Sequence, residues 1–134
     1  MPHYQYHDES MITQLPENTI FVFGSNLAGL HQGGAAKTAL KYFGAFWGSG
    51  RGWSGQSYAI PTMNEHAQVI PLSQIQHYVD DFKIYTKNHP KNKYFVTAIG
   101  CGIAGYSTAD IAPLFKGISD NVILPQSFQS FVES

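Results

Sequence analysis

Two stretches hold residues whose types and spacing could do chemistry. The first is Gly24-Ser25-Asn26 leading to Gly33-Gly34-Ala35; the second is Gly100-Cys101-Gly102-Ile103-Ala104-Gly105-Tyr106. Nine of the 13 glycines fall between Gly24 and Gly55, and three more are Gly100, Gly102 and Gly105. Glycine allows main chain to approach a ligand closely. Where such a loop opens a helix, the first N–H groups have no helical partner and the helix dipole adds partial positive charge. Gly33-Gly34 is therefore a natural anion seat, and residues 100–105 could aim further N–H groups at it from the other side. Two loops of this kind would hold a diphosphate without Lys or Arg. Against this stands the plainer reading of both stretches as turns.

Side chains with reactive groups are few near these loops. Asn26 cannot be a base, but its amide can orient water or a hydroxyl; turn geometry is its alternative role. His31, between Leu30 and Gln32, could act as a base or bond a phosphate, or be a surface loop histidine. Cys101 follows a strand amid free N–H groups, where a thiolate could form. No His or Asp is positioned by sequence to complete a dyad, so a small packing residue is the favoured reading. His66, His77 and His89 are scattered without ligand spacing, so neither a metal nor a cofactor is expected.

The elements that must position these residues follow from periodicity. Residues 19–23 are a continuous apolar run, as in a strand buried on both faces. From Gly34, the residues Ala35, Ala36, Ala39, Leu40 and Phe43 fall at helical spacing, with Gly44 where a cap is expected. Residues 44–55, with five glycines and both tryptophans, read as a structured loop. Residues 57–60 make a short strand stopped by Pro61. A polar loop over residues 62–70 leads to a long helix opened by Pro71, with Ser73 and Gln76 matching a capping box. Leu72, Ile75, Tyr78, Val79, Phe82 and Tyr85 give it an apolar face, and His89-Pro90 ends it. Residues 94–99 are the best strand. A short helix capped by Asp110, with Pro113 in its first turn, then a strand over residues 121–124 and a helical turn over residues 128–132 complete the chain. The β-α-β-α-β-α-β alternation predicts one α/β domain with a parallel or mixed sheet. If the strands before the two glycine loops are adjacent and parallel, both loops open on one edge.

Named nucleotide motifs fail in detail. Gly29 and Gly34 have Walker A spacing, but Ala35 stands where the lysine belongs. Gly100-x-Gly102-x-x-Gly105 has the letters of a dinucleotide fingerprint, but too little chain follows for a dinucleotide-binding half. Gly50, Gly52 and Gly55 repeat the same letters without a preceding strand.

The ordered pair of loops resembles the macrodomain family. Phe23-Gly24-Ser25-Asn26 followed by Gly33-Gly34-Ala35-Ala36 is similar to its first ligand loop, and residues 94–106 to its second, across about residues 19–124. The resemblance implies a three-layer α/β/α sandwich with a mixed, mostly parallel sheet, binding ADP-ribose or a related nucleotide. It implies that Asn26 meets the distal ribose and that Gly33 and Gly34 lie beside that ribose and the diphosphate. Cys101, Gly102, Ile103, Ala104 and Gly105 would grip the diphosphate, with Tyr106 near the aromatic that covers the ribose. The chain departs from the family where Phe23 replaces an asparagine and where Ala36 replaces the aspartate of one hydrolase branch. The family's Gly-Asp-Ile stretch is absent, and the outer strand would have to come from residues 3–7.

Composition bounds the partners. The 134 residues are 43% apolar and only 13% charged, with a formal net charge of -1. That balance argues for a folded core and against a phosphate-tracking surface for DNA or RNA. The lone cysteine cannot form an internal disulfide, and residues 1–9 lack an apolar signal region, so a cytoplasmic protein without a membrane segment is expected. The expected ligand is a small ADP-ribose-like nucleotide, free or carried on an ADP-ribosylated macromolecule. Hydrolysis of an ADP-ribose ester, 1″-phosphate or ADP-ribosyl adduct, with Asn26 and His31 as the catalytic pair, is the secondary expectation. The rivals are another Rossmann-like nucleotide-processing enzyme and a non-catalytic protein-interaction module.

Overall fold

A computed structural model describes residues 4–31, 33–101 and 104–133. In it the chain builds one six-stranded sheet. The strands are β1 (Gln5–His7), β2 (Thr19–Asn26), β3 (Gly52–Ser54), β4 (Ser57–Met63), β5 (Lys93–Val96) and β6 (Val122–Pro125). Their order is β1-β6-β5-β2-β4-β3; all neighbours are parallel except the β3–β4 hairpin. Among the described residues the α-helices are α1 (Gly34–Tyr42), α2 (Leu72–Asn88), α3 (Thr108–Ile111) and α4 (Gln129–Val132), with short 3-10 turns at Ala112–Phe115 and Gln126–Phe128. No helix of the described residues is long and apolar enough to cross a membrane.

The continuous apolar run of β2 is explained by a core on each side of the sheet. Phe21 and Phe23 point to one face and pack with Ala39 of α1 and with Phe43, its C-cap residue. Ile20 and Val22 point to the other, where Ile75, Val79 and Phe82 of α2 meet Ile60, Tyr94, Val96 and Leu124. Each fully buried large side chain contributes roughly 1.5–3 kcal/mol. Burial on both faces therefore holds β2, which carries the first glycine loop, more firmly than any edge strand.

Several local expectations are corrected. Helix α3 is capped by Ser107, and Asp110 is the return partner. Ser107 Oγ accepts from the Asp110 amide at 3.2 Å, and an Asp110 carboxylate oxygen accepts from the Ser107 amide at 3.2 Å. Helix α2 has Pro71 at its cap and no side-chain cap bond, so Ser73 lies inside the first turn and Gln76 bonds Asp80 instead. Pro61 does not stop its strand: β3 pairs only as far as Ala59 and the outer edge of β4 is paired again only at Met63 with Val69, so at Pro61 between them a missing N–H costs no ladder bond. Residues 52–54, read as loop, are β3. The best strand ends earlier than expected, at Val96, because the Ile99 amide folds back onto the Thr97 carbonyl. The outer strand is indeed made near the N-terminus, where β1 pairs with β6.

Candidate functional site

β2, β4 and β5 end side by side, and a cavity of about 400 Å³ lies at their carboxyl ends. The two glycine loops face it together. Gly24, Ser25, Asn26, Gly33, Gly34 and Ala35 line one side; Gly100 and Ala104 line the other. Of the remaining expected residues, Cys101, Gly105 and Tyr106 do not line it, and Gly102 and Ile103 lie outside the described residues. Leu30, Thr62, Met63 and Ala67 also form the wall and were not singled out from sequence. The end of β4 beside β2 was the available signal for Thr62 and Met63. Ala67 has no sequence signal: it is a non-glycine residue in left-handed backbone, φ 59°.

The seat itself is main chain. Gly33 caps α1 in extended conformation without a side-chain bond, and no acidic residue stands in the first turn. The first bond of the helix runs from the Lys37 amide to the Gly33 carbonyl at 3.3 Å. The amides of Gly34, Ala35 and Ala36 therefore precede helical pairing, on the cavity wall. Across the gap, Gly100 holds left-handed backbone, φ 74°, which favours glycine, and an added Cβ would also crowd Ile111 Cδ1 of α3 at 2.9 Å. No described residue of the lining has a charged side chain. The arrangement can thus hold an anion by oriented amides and the positive end of α1, but its lining offers no group to move a proton.

Loop one is braced from behind. Asn26 Oδ1 accepts from the Leu30 amide at 3.0 Å and its Nδ2 donates to the Leu30 carbonyl at 3.1 Å. This leaves one N–H and one lone pair of the side chain for a guest. Ser25 Oγ donates to the Gly50 carbonyl, and Thr62 Oγ1 donates to the Ser25 carbonyl at 3.3 Å. Gly29 packs so tightly on residues 48–49 that an added Cβ would stand 2.3 Å from Gly48 C. The stretch over residues 44–55 is thus a support for the loop.

The roles expected of His31 and Tyr106 change. His31 is 1% exposed and does not line the cavity; its Nε2 bonds main-chain carbonyls, so it is not placed as a base toward a guest. Tyr106 donates its hydroxyl to the Ile70 carbonyl at 2.6 Å, and its amide to the Gly100 carbonyl at 2.8 Å. It anchors loop two and does not cover the cavity. Cys101 packs against the larger core, and burial pushes its thiol up, opposed by a bond with Thr108. That favours the packing role over a thiolate nucleophile. Among the described residues, no three of His, Cys, Asp and Glu gather as a metal would require.

A second groove of about 530 Å³ adjoins the cavity and shares Gly34, Ala35, Thr97 and Ala98 with it. Phe95, Phe21, Ile12, Met11 and His7 supply most of its apolar wall. The His7 ring stacks on Phe95 at 3.8 Å and its Nε2 donates to the Val96 carbonyl at 2.7 Å. The N-terminal segment is therefore fastened to the sheet here. Compared with family models, curated proteins and solved structures, the chain matches none.

Proposed function

We propose that this chain is a macrodomain-like, three-layer α/β/α domain that binds ADP-ribose or a closely related nucleotide diphosphate. The observation that carries the reading is the convergence of the two glycine loops on one cavity beside the uncapped start of α1. The diphosphate sits on the amides of Gly34, Ala35 and Gly100, and the distal ribose lies toward Asn26. The adjoining groove takes the rest of the nucleotide, with its flat base against the apolar wall near Phe95. The two spaces are each of the size usual for small-ligand sites. The cavity lining is uncharged, which supports binding over acid–base hydrolysis at the diphosphate and distal ribose, so Asn26 acts in positioning; Glu9 and Lys37 line the adjoining groove instead. Calorimetric titration with ADP-ribose, beside ADP and AMP, tests the proposal. Saturable heat with one site per chain is expected for ADP-ribose; no heat at millimolar ligand overturns it.

A further inference from the structure

Resting on that reading, we propose that His31 is the positioning residue of the anion seat: its imidazole ties loop one to residues 46–49 and thereby sets the amides that face the cavity. Leu30 and Gly33, on either side in the chain, line the cavity, while the His31 ring turns inward. There it lies edge-on to Phe23 at 5.2 Å and to Trp47 at 6.5 Å. Its Nε2 is 3.0 Å from the Phe46 carbonyl and 3.2 Å from the Ser49 carbonyl. Carbonyl oxygens only accept, so Nε2 carries the proton and bridges both.

The cost of this choice is visible at the other nitrogen. Nδ1 is buried and has no hydrogen-bond partner among the described residues. A phenylalanine would fill the same space without an orphaned acceptor, so space filling does not account for an imidazole here. What the imidazole adds is the double bond to the support. Among the described residues, Ser25 and His31 are the side chains of the first loop that bond across to residues 44–55. Within that support Arg51 reaches α2, where it makes an exposed ion pair with Asp81 at 2.8 Å and lies over the Tyr78 ring at 4.9 Å. The ring is thus one of the ties between loop one and the support, beside the Ser25 Oγ bond to the Gly50 carbonyl and the Gly48 amide bond to the Gly29 carbonyl at 2.9 Å.

The test compares the parent with His31→Phe, which keeps a ring and loses the donor, and His31→Gln, which keeps a donor. Hydrogen exchange is followed by mass spectrometry in peptides covering residues 26–34, 44–51 and 72–88, and ADP-ribose is titrated against each protein. His31→Phe should speed exchange about tenfold in the first two peptides but not in the third, and weaken ADP-ribose about tenfold or more; His31→Gln should recover part of both. Parent-like exchange and affinity in His31→Phe overturn the proposal. If the parent itself does not bind ADP-ribose, the proposed function fails, and the exchange comparison alone decides the role of His31. If His31→Phe does not fold, the 15N spectrum of the parent imidazole decides: a proton on Nε2 is expected, and a proton on Nδ1 overturns it.

Discussion

A Cβ added to Gly24 would stand 3.4 Å from the Gly100 amide nitrogen and 3.4 Å from Ile99 Cβ. The strand end before the first loop and the start of the second therefore touch through main chain, 76 residues apart in sequence. A small residue at this junction is what lets the two loops share one cavity.

This contact gives a graded prediction. Gly24→Ala adds one methyl at ordinary van der Waals distance and should change stability by less than about 1 kcal/mol. Gly24→Val drives further methyls between the loops and should weaken ADP-ribose by about 10- to 100-fold, from an overpacking cost of about 1–3 kcal/mol. Calorimetry on both variants checks it; equal affinity for the two would show that the junction does not set the site.

Ala35 stands in the first turn of α1 on the cavity wall. Ala35→Glu places a carboxylate beside the proposed diphosphate, and affinity should fall on the order of 100-fold through like-charge repulsion. The same carboxylate suits the helix dipole, by about 0.3–1 kcal/mol, so the melting temperature should hold or rise. A thermal scan and a titration of one sample separate the two effects.

Gly29 and Gly34 both have left-handed backbone, φ 72° and 59°, but differ in surroundings. At Gly34 nothing lies within 4 Å of an added Cβ, so Gly34→Ala should lose about 1–2 kcal/mol from backbone strain alone. At Gly29 the added atom also collides with Gly48 main chain, and Gly29→Ala should lose about 2–5 kcal/mol. Denaturant unfolding of the pair measures the difference. A Gly29→Ala loss no larger than that of Gly34→Ala would mean that residues 44–55 yield freely.

Burial pushes the hydroxyls of Tyr58 and Tyr94 up to about 12, with the Asp81 carboxylate adding to the effect at Tyr58. In the unfolded chain a tyrosine loses its proton near pH 10. Between these values the folded state holds protons that the unfolded state has released, so stability declines as pH rises from about 10 through 12. Melting temperature against pH should fall in that window, and less steeply for Tyr94→Phe. An unchanged slope in the variant would contradict the assignment.

Much of this was legible in the sequence because it rests on short-range pattern. Residues 19–23 read as a strand buried on both faces, and α1 and α2 as helices, because their apolar spacing is set by a core each side of the sheet. The meeting of the two glycine loops followed from placing both after parallel strands. What stayed hidden depends on long-range packing. Gly52-Trp53-Ser54 pairs for three residues and has no periodic signature. Pro61 fits β4 only because its neighbouring strand ends early. The inward turn of His31 is settled by carbonyls 15 and 18 residues further along the chain. No local spacing records that, so a residue that reads as a base or a surface loop histidine is buried and bonded to main chain.

The most direct test follows main-chain amides during a titration of 15N-labelled protein with ADP-ribose. The amide signals of Gly34, Ala35 and Gly100 should shift together and saturate at one common dissociation constant. Shifts confined to one of the two loops, or none at either, would contradict the claim that both hold a single anion.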